Sequence, residues 1–410
     1  MYTKKPLNMS DLNRRAFLKT SMLGAAGAFI GNRMLGSEKL SPLPTEKKQG
    51  KVVTRKLGNT GIELPVVSFG VMRADNPALV HAALDAGFRH FDTAHVYQNG
   101  NNEKMLGEEL KDYPRDSFTI ATKVPPEEKD RKTGNLLSGS TKKAFLDKLD
   151  TSLERLKMDY VDILYAHSIS SRQAVEFEPI LDALQTAKKQ GKAKHIGLST
   201  HRNEVEVIEA AIEKGVHEVI LTAYNFKQDH QEKLGKVIAR ASKAGIGIVG
   251  MKSMAGGDLG KNSDQPVNFK AALKWVLNNP HVHTTIPGII NFKQMKENFS
   301  VMEDLSLTSE EKNFIHAASA KAGLYCNGCN TCTDSCRKGL PIPDLMRAHM
   351  YAYGYREMKK AREVLDEHQV HDNPCKDCAV CTASCVKGFD LPARLADISR
   401  MGQVPEEFLV

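Results

Sequence analysis

Between residues 51 and 305 short, β-rich apolar runs alternate eight times in succession with stretches of helical period, and that repeat leaves the chain few ways to fold. Strands are expected at 67–70, 89–92, 118–123, 161–167, 195–199, 219–224, 247–251 and 284–287, and helices at 77–86, 103–111, 142–156, 180–189, 205–214, 231–244, 269–277 and 292–299. Eight βα units over about 250 residues have the size and period of an α/β fold closed into a (β/α)8 barrel of the TIM type. An open doubly wound sheet is the runner-up and needs far fewer consecutive units. The stretch 52–66, with its turn-like Gly58-Asn59-Thr60-Gly61, reads as a β-hairpin plugging the barrel bottom.

Gly245-Ile246-Gly247-Ile248-Val249-Gly250 spells G-x-G-x-x-G, but a dinucleotide fingerprint follows a strand and opens a helix. Here the order is reversed. The motif therefore reads as a helix C-cap glycine running into a buried strand of small residues.

In a barrel the chemistry sits at the C-terminal strand ends, so polar residues closing apolar strands are the candidates. Strand two runs into Asp92-Thr93-Ala94-His95-Val96-Tyr97, strand three ends at Lys123 and strand four at His167. A lysine beside a tyrosine is expected to favour the phenolate and lower the phenol from about 10, with a carboxylate holding the lysine charged. A histidine within hydrogen-bond reach would then fix a carbonyl oxygen between two donors, the arrangement carbonyl reduction needs. Asp92, Tyr97, Lys123 and His167 resemble the catalytic tetrad of the aldo/keto reductases. The resemblance extends over residues 52–305 through Asp-Thr-Ala-x-x-Tyr, the strand end 196–201, the segment 251–257, Ile286-Pro287-Gly288 and Glu297-Asn298.

The resemblance implies that Tyr97 is the general acid, Lys123 and Asp92 its tuning pair and His167 the orienting donor. It also implies a nicotinamide cofactor, NADP(H) or NAD(H), held by Ser199, Thr200, Lys252, Ser253, Gly288, Gln294 and Asn298, and a small-molecule carbonyl or alcohol substrate. Departures fall on the cofactor contacts. Gly288 and Gln294 stand where many relatives grip a 2'-phosphate with Lys and Arg, Leu221 where many place a carboxamide-binding Gln, and Lys252 where some have a stacking aromatic.

All eight cysteines lie in the last 85 residues, as Cys326-x2-Cys329-x2-Cys332-x3-Cys336 and Cys375-x2-Cys378-x2-Cys381-x3-Cys385. The spacing matches the ferredoxin pattern for two 4Fe-4S clusters, in which the fourth cysteine of each run serves the other run's cluster. Structural zinc would leave the third close cysteine without a role, and disulfides within Cys-x2-Cys would close short, strained loops. Residues 343–368, between the runs, carry one long helical pattern, so a small, mainly helical iron-sulfur domain is expected.

The net charge of +8 does not mark a nucleic-acid binder, because residues 1–36 hold six Lys or Arg against one Asp. Arg14-Arg15 precedes an uncharged stretch, residues 20–32, which as a helix spans only about 20 Å against a hydrocarbon core of about 30 Å. It resembles a twin-arginine (Tat) export signal, cleaved or retained as an anchor. The expected organisation is a signal segment at 1–36, a linker at 37–50, the barrel at 51–320 and the iron-sulfur domain at 321–410. Together these features suggest an exported oxidoreductase, periplasmic or membrane-attached, whose clusters serve an electron-transfer partner. An electron carrier on a silent barrel, or a reductase with purely structural clusters, would fit the same sequence.

Overall fold

The computed structural model describes residues 52–254, 268–320, 326 and 328–409. The export-like segment and the end of the 251–257 motif lie outside them. Two short strands, β1 (Thr54–Lys56) and β2 (Glu63–Pro65), form the antiparallel hairpin, and eight parallel strands follow: β3 (Phe69–Gly70), β4 (His90–Asp92), β5 (Thr119–Val124), β6 (Val161–Ala166), β7 (Ala193–Thr200), β8 (Val219–Ala223), β9 (Gly247–Met251) and β10 (Thr284–Thr285). The order is sequential from β3 to β10, and the sheet closes. Val67 and Gly70 bridge to Thr285 and Gly288, with Ser68 N donating to Thr285 O at 2.8 Å and Thr285 N to Val66 O at 3.0 Å. The curled sheet is thus a closed (β/α)8 barrel.

Period-two alternation sorts its side chains into two cores. Ile120, Leu164, Ile196, Leu198, Ile220 and Ile248 face outward against the helices. Ala121, Ile163, Tyr165, Val219, Leu221 and Val249 face inward, joined from below by Leu57 and Leu64 of the hairpin. Each buried leucine of that plug contributes about 1.5–3 kcal/mol. The hairpin also explains the glycines of 245–250. A Cβ on Gly247 would lie 2.6 Å from the Leu57 side chain, and Asn59 N donates to Gly245 O at 2.8 Å. Those glycines make room for the plug.

Beyond the helices Phe292–Glu303 and Ser309–Ala320, the cysteine-rich segment packs its own core from Ile342, Leu345, Ala361, Leu365, Leu391, Leu395 and Ile398. The single long helix expected at 343–368 is instead broken. Helix Ile342–His349 widens into a π turn at Met350–Tyr355, Arg356 adopts φ 59°, and a second helix resumes at Met358–Glu367. The break folds the two halves against one apolar core, which an unbroken helix could not do.

This segment sits on the C-terminal face of the barrel. Arg73 after β3 donates to Glu357 at 2.9 Å and lies over the Tyr355 ring, Arg202 after β7 approaches Asp344 at 3.8 Å, and Asp229 after β8 pairs with Lys387. It is placed as a lid.

Candidate active site and cysteine centres

Strand register lifts the sequence-predicted residues to one place. Asp92, Lys123 and, just past β6, His167 fall on inward-facing positions near the top of neighbouring strands, with Lys123 in register with Tyr165. The Lys123 ammonium bonds the Asp92 carboxylate, the Thr93 carbonyl at 2.5 Å and the Tyr97 hydroxyl at 3.3 Å. The Tyr97 and His167 rings stand edge to face, 6.1 Å apart. All four residues come together.

Tyr97 reaches the site from a turn that carries two consecutive left-handed residues, Gln98 (φ 50°) and Asn99 (φ 53°). Neighbouring bonds hold that turn. The Gln98 amide donates to the Met72 and Ala74 carbonyls, and buried Asn102 donates to Val71 O at 2.7 Å while accepting from Thr93. Glu103, also buried, accepts from Thr122 and Arg155. Asn102 and Glu103 were not singled out in the sequence, since a helix's first turn carries no visible sign of what it touches.

Electrostatics corrects one expectation. Burial raises the Tyr97 phenol above its ordinary value and outweighs Lys123, which pulls it down. The phenol is therefore protonated at neutral pH. Burial lowers the Lys123 ammonium, but Asp92 and Tyr97 prevail and hold it above the usual lysine value. Burial, then the charges of Lys123, Lys129, Lys360 and Arg347, keep His167 well below 6.5, so its imidazole is neutral.

The seven residues implied for a nicotinamide nucleotide lie on or just beyond β7, β9 and β10, but several already have partners. Ser199 accepts from Ser168 N at 3.0 Å, Thr200 donates to Arg202 O at 3.0 Å, Ser253 meets the Thr285 hydroxyl at 2.9 Å, and Gln294 accepts from Ile290 N at 3.0 Å as part of a helix cap. Asn298 is buried with its amide nitrogen unpartnered, Gly288 borders open space, and Lys252, at φ 53°, is brought down to about 8 by burial and by Arg347. An orphaned amide, an open glycine and a lysine on one side of the mouth fit an anionic nucleotide. Leu221 lies in the barrel's interior core.

The cysteines group across the two runs. Cys326, Cys329 and Cys332 share one cavity with Cys385, walled by Ile342, Met346, Phe389 and Leu391. Cys375 faces Cys381, Cys378 and Cys336. Backbone amides point at sulfur, Gly328 N to Cys326 at 3.3 Å and Lys387 N to Cys385 at 3.4 Å. Burial and the neighbouring sulfurs push Cys332 up to about 12. Among the described residues no group of three or more His, Cys, Asp or Glu could hold a single metal ion. A 4Fe-4S cluster binds each thiolate to a different iron, so its four sulfurs surround an inorganic core and stand farther apart than the ligands of one ion.

A closed barrel with Lys, Asp, Tyr and His converging at its mouth defines an oxidoreductase of the carbonyl-reducing kind. Residues 68–271 match the aldo/keto reductase family. The chain is 28% identical over 296 residues to L-galactose dehydrogenase of Arabidopsis thaliana, covering 62% of this chain and 89% of that protein. With L-glyceraldehyde 3-phosphate reductase of Escherichia coli K12 it shares 26% over 347 residues, 69% of this chain and 97% of the relative. Among solved structures, the holo form of an aldo-keto reductase from Bacillus halodurans superposes with a TM-score of 0.54 at 23% identity, over 68% of this chain and 99% of that one. A thermostable aldo-keto reductase bound to the inhibitor epalrestat gives 0.52, also at 23%, over 65% and 99%. The fold is that of these enzymes.

Proposed function

We propose that this chain is an exported aldo/keto reductase that interconverts a carbonyl and an alcohol by hydride transfer with NADP(H) or NAD(H), and that its C-terminal module carries two 4Fe-4S clusters serving an electron-transfer partner. The observation that carries the reading is the Lys123 ammonium held between Asp92 and the Tyr97 hydroxyl, 3.3 Å away, beside a neutral His167.

The nicotinamide, when bound, supplies or accepts the hydride. Everything else falls to the chain. Tyr97 and His167 both donate to the substrate's carbonyl oxygen and orient it. As negative charge builds there, Tyr97 passes its proton to the oxygen, and the resulting phenolate is met by Lys123, whose charge Asp92 secures. In the reverse direction Tyr97 takes the proton from the alcohol. Lys252, Asn298 and the space at Gly288 favour an anionic nucleotide without selecting a 2'-phosphate.

For the clusters, the support is the ferredoxin spacing and the regrouping of thiols into Cys326, Cys329, Cys332, Cys385 and Cys336, Cys375, Cys378, Cys381. The clusters would supply one-electron storage, and two of them hold the two electrons a hydride carries. Export rests on the Arg14-Arg15 segment alone. Replacing both arginines by lysine and fractionating the cells tests it, with retention in the cytoplasm expected.

The deciding experiment is an anaerobic titration of the cluster-loaded protein with NADH and NADPH, following cluster absorbance and carbonyl turnover. Bleaching by one nucleotide places nicotinamide and clusters on a single electron path and identifies the nucleotide. If the clusters answer only to dithionite while carbonyls are reduced, they are structural; if no carbonyl is reduced by any route, the barrel is silent and the reductase reading fails.

A further inference from the structure

Of the ties between the cysteine module and the barrel mouth, one lands on the loop that supports the Tyr97 turn. After β3 the chain bends at residues 71–74, where Val71 N donates to the Asp92 carbonyl at 3.2 Å and Ala74 N to the Val71 carbonyl at 2.8 Å. The Tyr97 turn hangs on this loop. The Gln98 amide donates to the carbonyls of Met72 and Ala74, both at 3.3 Å, and Asn102 to those of Val71 at 2.7 Å and Ala74 at 3.2 Å. Met72 and Ala74 are the two neighbours of Arg73.

Arg73 itself bonds the module. Its Nε donates to the Glu357 carboxylate at 2.9 Å, and its guanidinium lies 5.6 Å from the centroid of the Tyr355 ring. The π turn supplies this pair. Glu357 N donates to the Tyr351 carbonyl at 2.9 Å, Arg356 between Tyr355 and Glu357 is left-handed, and the Tyr351 and Tyr355 rings are 5.9 Å apart. On an unbroken helix two residues that far apart in sequence lie on different faces, so the break is what brings Tyr355 and Glu357 onto one guanidinium. The other ties fall elsewhere: Arg202 donates to the carbonyls of Arg131 and Lys132 after β5, and Asp229 after β8 pairs with Lys387.

Gln98 and Asn99, both left-handed without being glycine, persist only where their surroundings hold them. We infer that Arg73 is a positioning residue: clasped by Tyr355 and Glu357, it fixes the 71–74 loop so that Gln98 and Asn102 set the Tyr97 hydroxyl beside Lys123, and the cysteine module thereby completes the site. The inference rests on the reductase reading for what Tyr97 does there, whereas the clasp itself can be measured without turnover.

The first measurement is hydrogen exchange in the cluster-loaded full chain. The Tyr97 and Asn99 amides, bonded to the Ala94 and Val96 carbonyls at 3.0 and 3.3 Å, are the reporters. Arg73→Gln is expected to speed both by about three- to tenfold, the span of one half-buried ion pair with its cation–π contact. Glu357→Gln should do the same from the module side, which also covers the case that Arg73→Gln does not fold, and the double variant should be no worse than Arg73→Gln. Asp229→Asn, which cuts the tie after β8, should leave both amides unchanged. The second measurement is reduction of 4-nitrobenzaldehyde with NADPH or NADH. Arg73→Gln should lower kcat by a similar factor with the nucleotide KM within about twofold, and should cost nothing further in a Tyr97→Phe background. Unchanged exchange in Arg73→Gln and Glu357→Gln overturns the inference, as does equal loosening by Asp229→Asn. A raised nucleotide KM with kcat intact would make Arg73 a nucleotide contact instead, and a loss that persists in Tyr97→Phe would show that it does not act through Tyr97. If no aldehyde is reduced, the reductase reading fails while exchange still decides the clasp.

Discussion

At the scale of single residues the site is a contest between burial and charge. Burial raises Tyr97 more than Lys123 lowers it, so the residue is an acid ready to give a proton rather than a standing phenolate. Tyr97→Phe removes that proton and should cost about 10²–10⁴ in kcat while leaving nucleotide affinity within about threefold, measured by steady-state kinetics and fluorescence titration. His167 is neutral because it is buried and faces four cations. The kcat profile should accordingly be level from pH 6 to 8, with no step at the usual histidine value of about 6.5; a step that vanishes in His167→Gln would show instead that the imidazole titrates there. The tetrad was legible in the sequence because each member closes an apolar strand or follows one at fixed distance. The contacts of Arg73 with Glu357 and of Arg202 with Asp344 were not, because nothing in a loop or in a helix of a later domain announces which residue it will meet.

At the scale of elements, alternation and close approach do the positioning. The inward parity that places Leu57 among Ile163, Tyr165 and Val249 puts Asp92 and Lys123 above them, so plug and site are two ends of one interior column. Gly247→Ala, whose Cβ would meet the Leu57 side chain at 2.6 Å, should destabilise the protein by about 1–3 kcal/mol in urea unfolding, without changing the active-site groups. Strand and helix positions followed the hydrophobic period closely, with ends shifted by a few residues. The helix at 343–368 broke because its period describes two faces that must meet the same core. The crossed grouping of cysteines carries its own prediction. On the proposed reading of two 4Fe-4S clusters, Cys385→Ser should deplete the one held by Cys326, Cys329 and Cys332 and leave that of Cys375, Cys378 and Cys381, so that iron content falls toward half and one of two reduced-cluster signals is lost by electron paramagnetic resonance. Loss of the cluster of its own run instead would show that each run binds alone.

At the scale of the whole molecule, buried titratable groups set the acid limit. Burial holds His90 and His217 at about 4 against 6.5 unfolded. Below pH 6.5 the unfolded chain therefore takes up protons that the folded one refuses, and stability present above 6.5 is lost as pH falls toward 4, by at most about 3 kcal/mol for each histidine. Urea midpoints between pH 7 and 4.5 should fall accordingly, and His217→Asn should flatten the slope if the fold tolerates it. What the sequence by itself determined was whatever depends on period and spacing: eight βα units, a plug, four polar strand ends, two cysteine runs. Those follow from local geometry, since helix and strand periods and ligand spacings are properties of contiguous residues. Only the tertiary structure decided that Arg73, Arg202 and Asp229 on three separate loops tie the cysteine module over the barrel mouth, that cysteines from the two runs share a cavity, and that burial outweighs Lys123 at Tyr97. Each depends on distances between residues remote in sequence and on the exclusion of water, which no local pattern encodes.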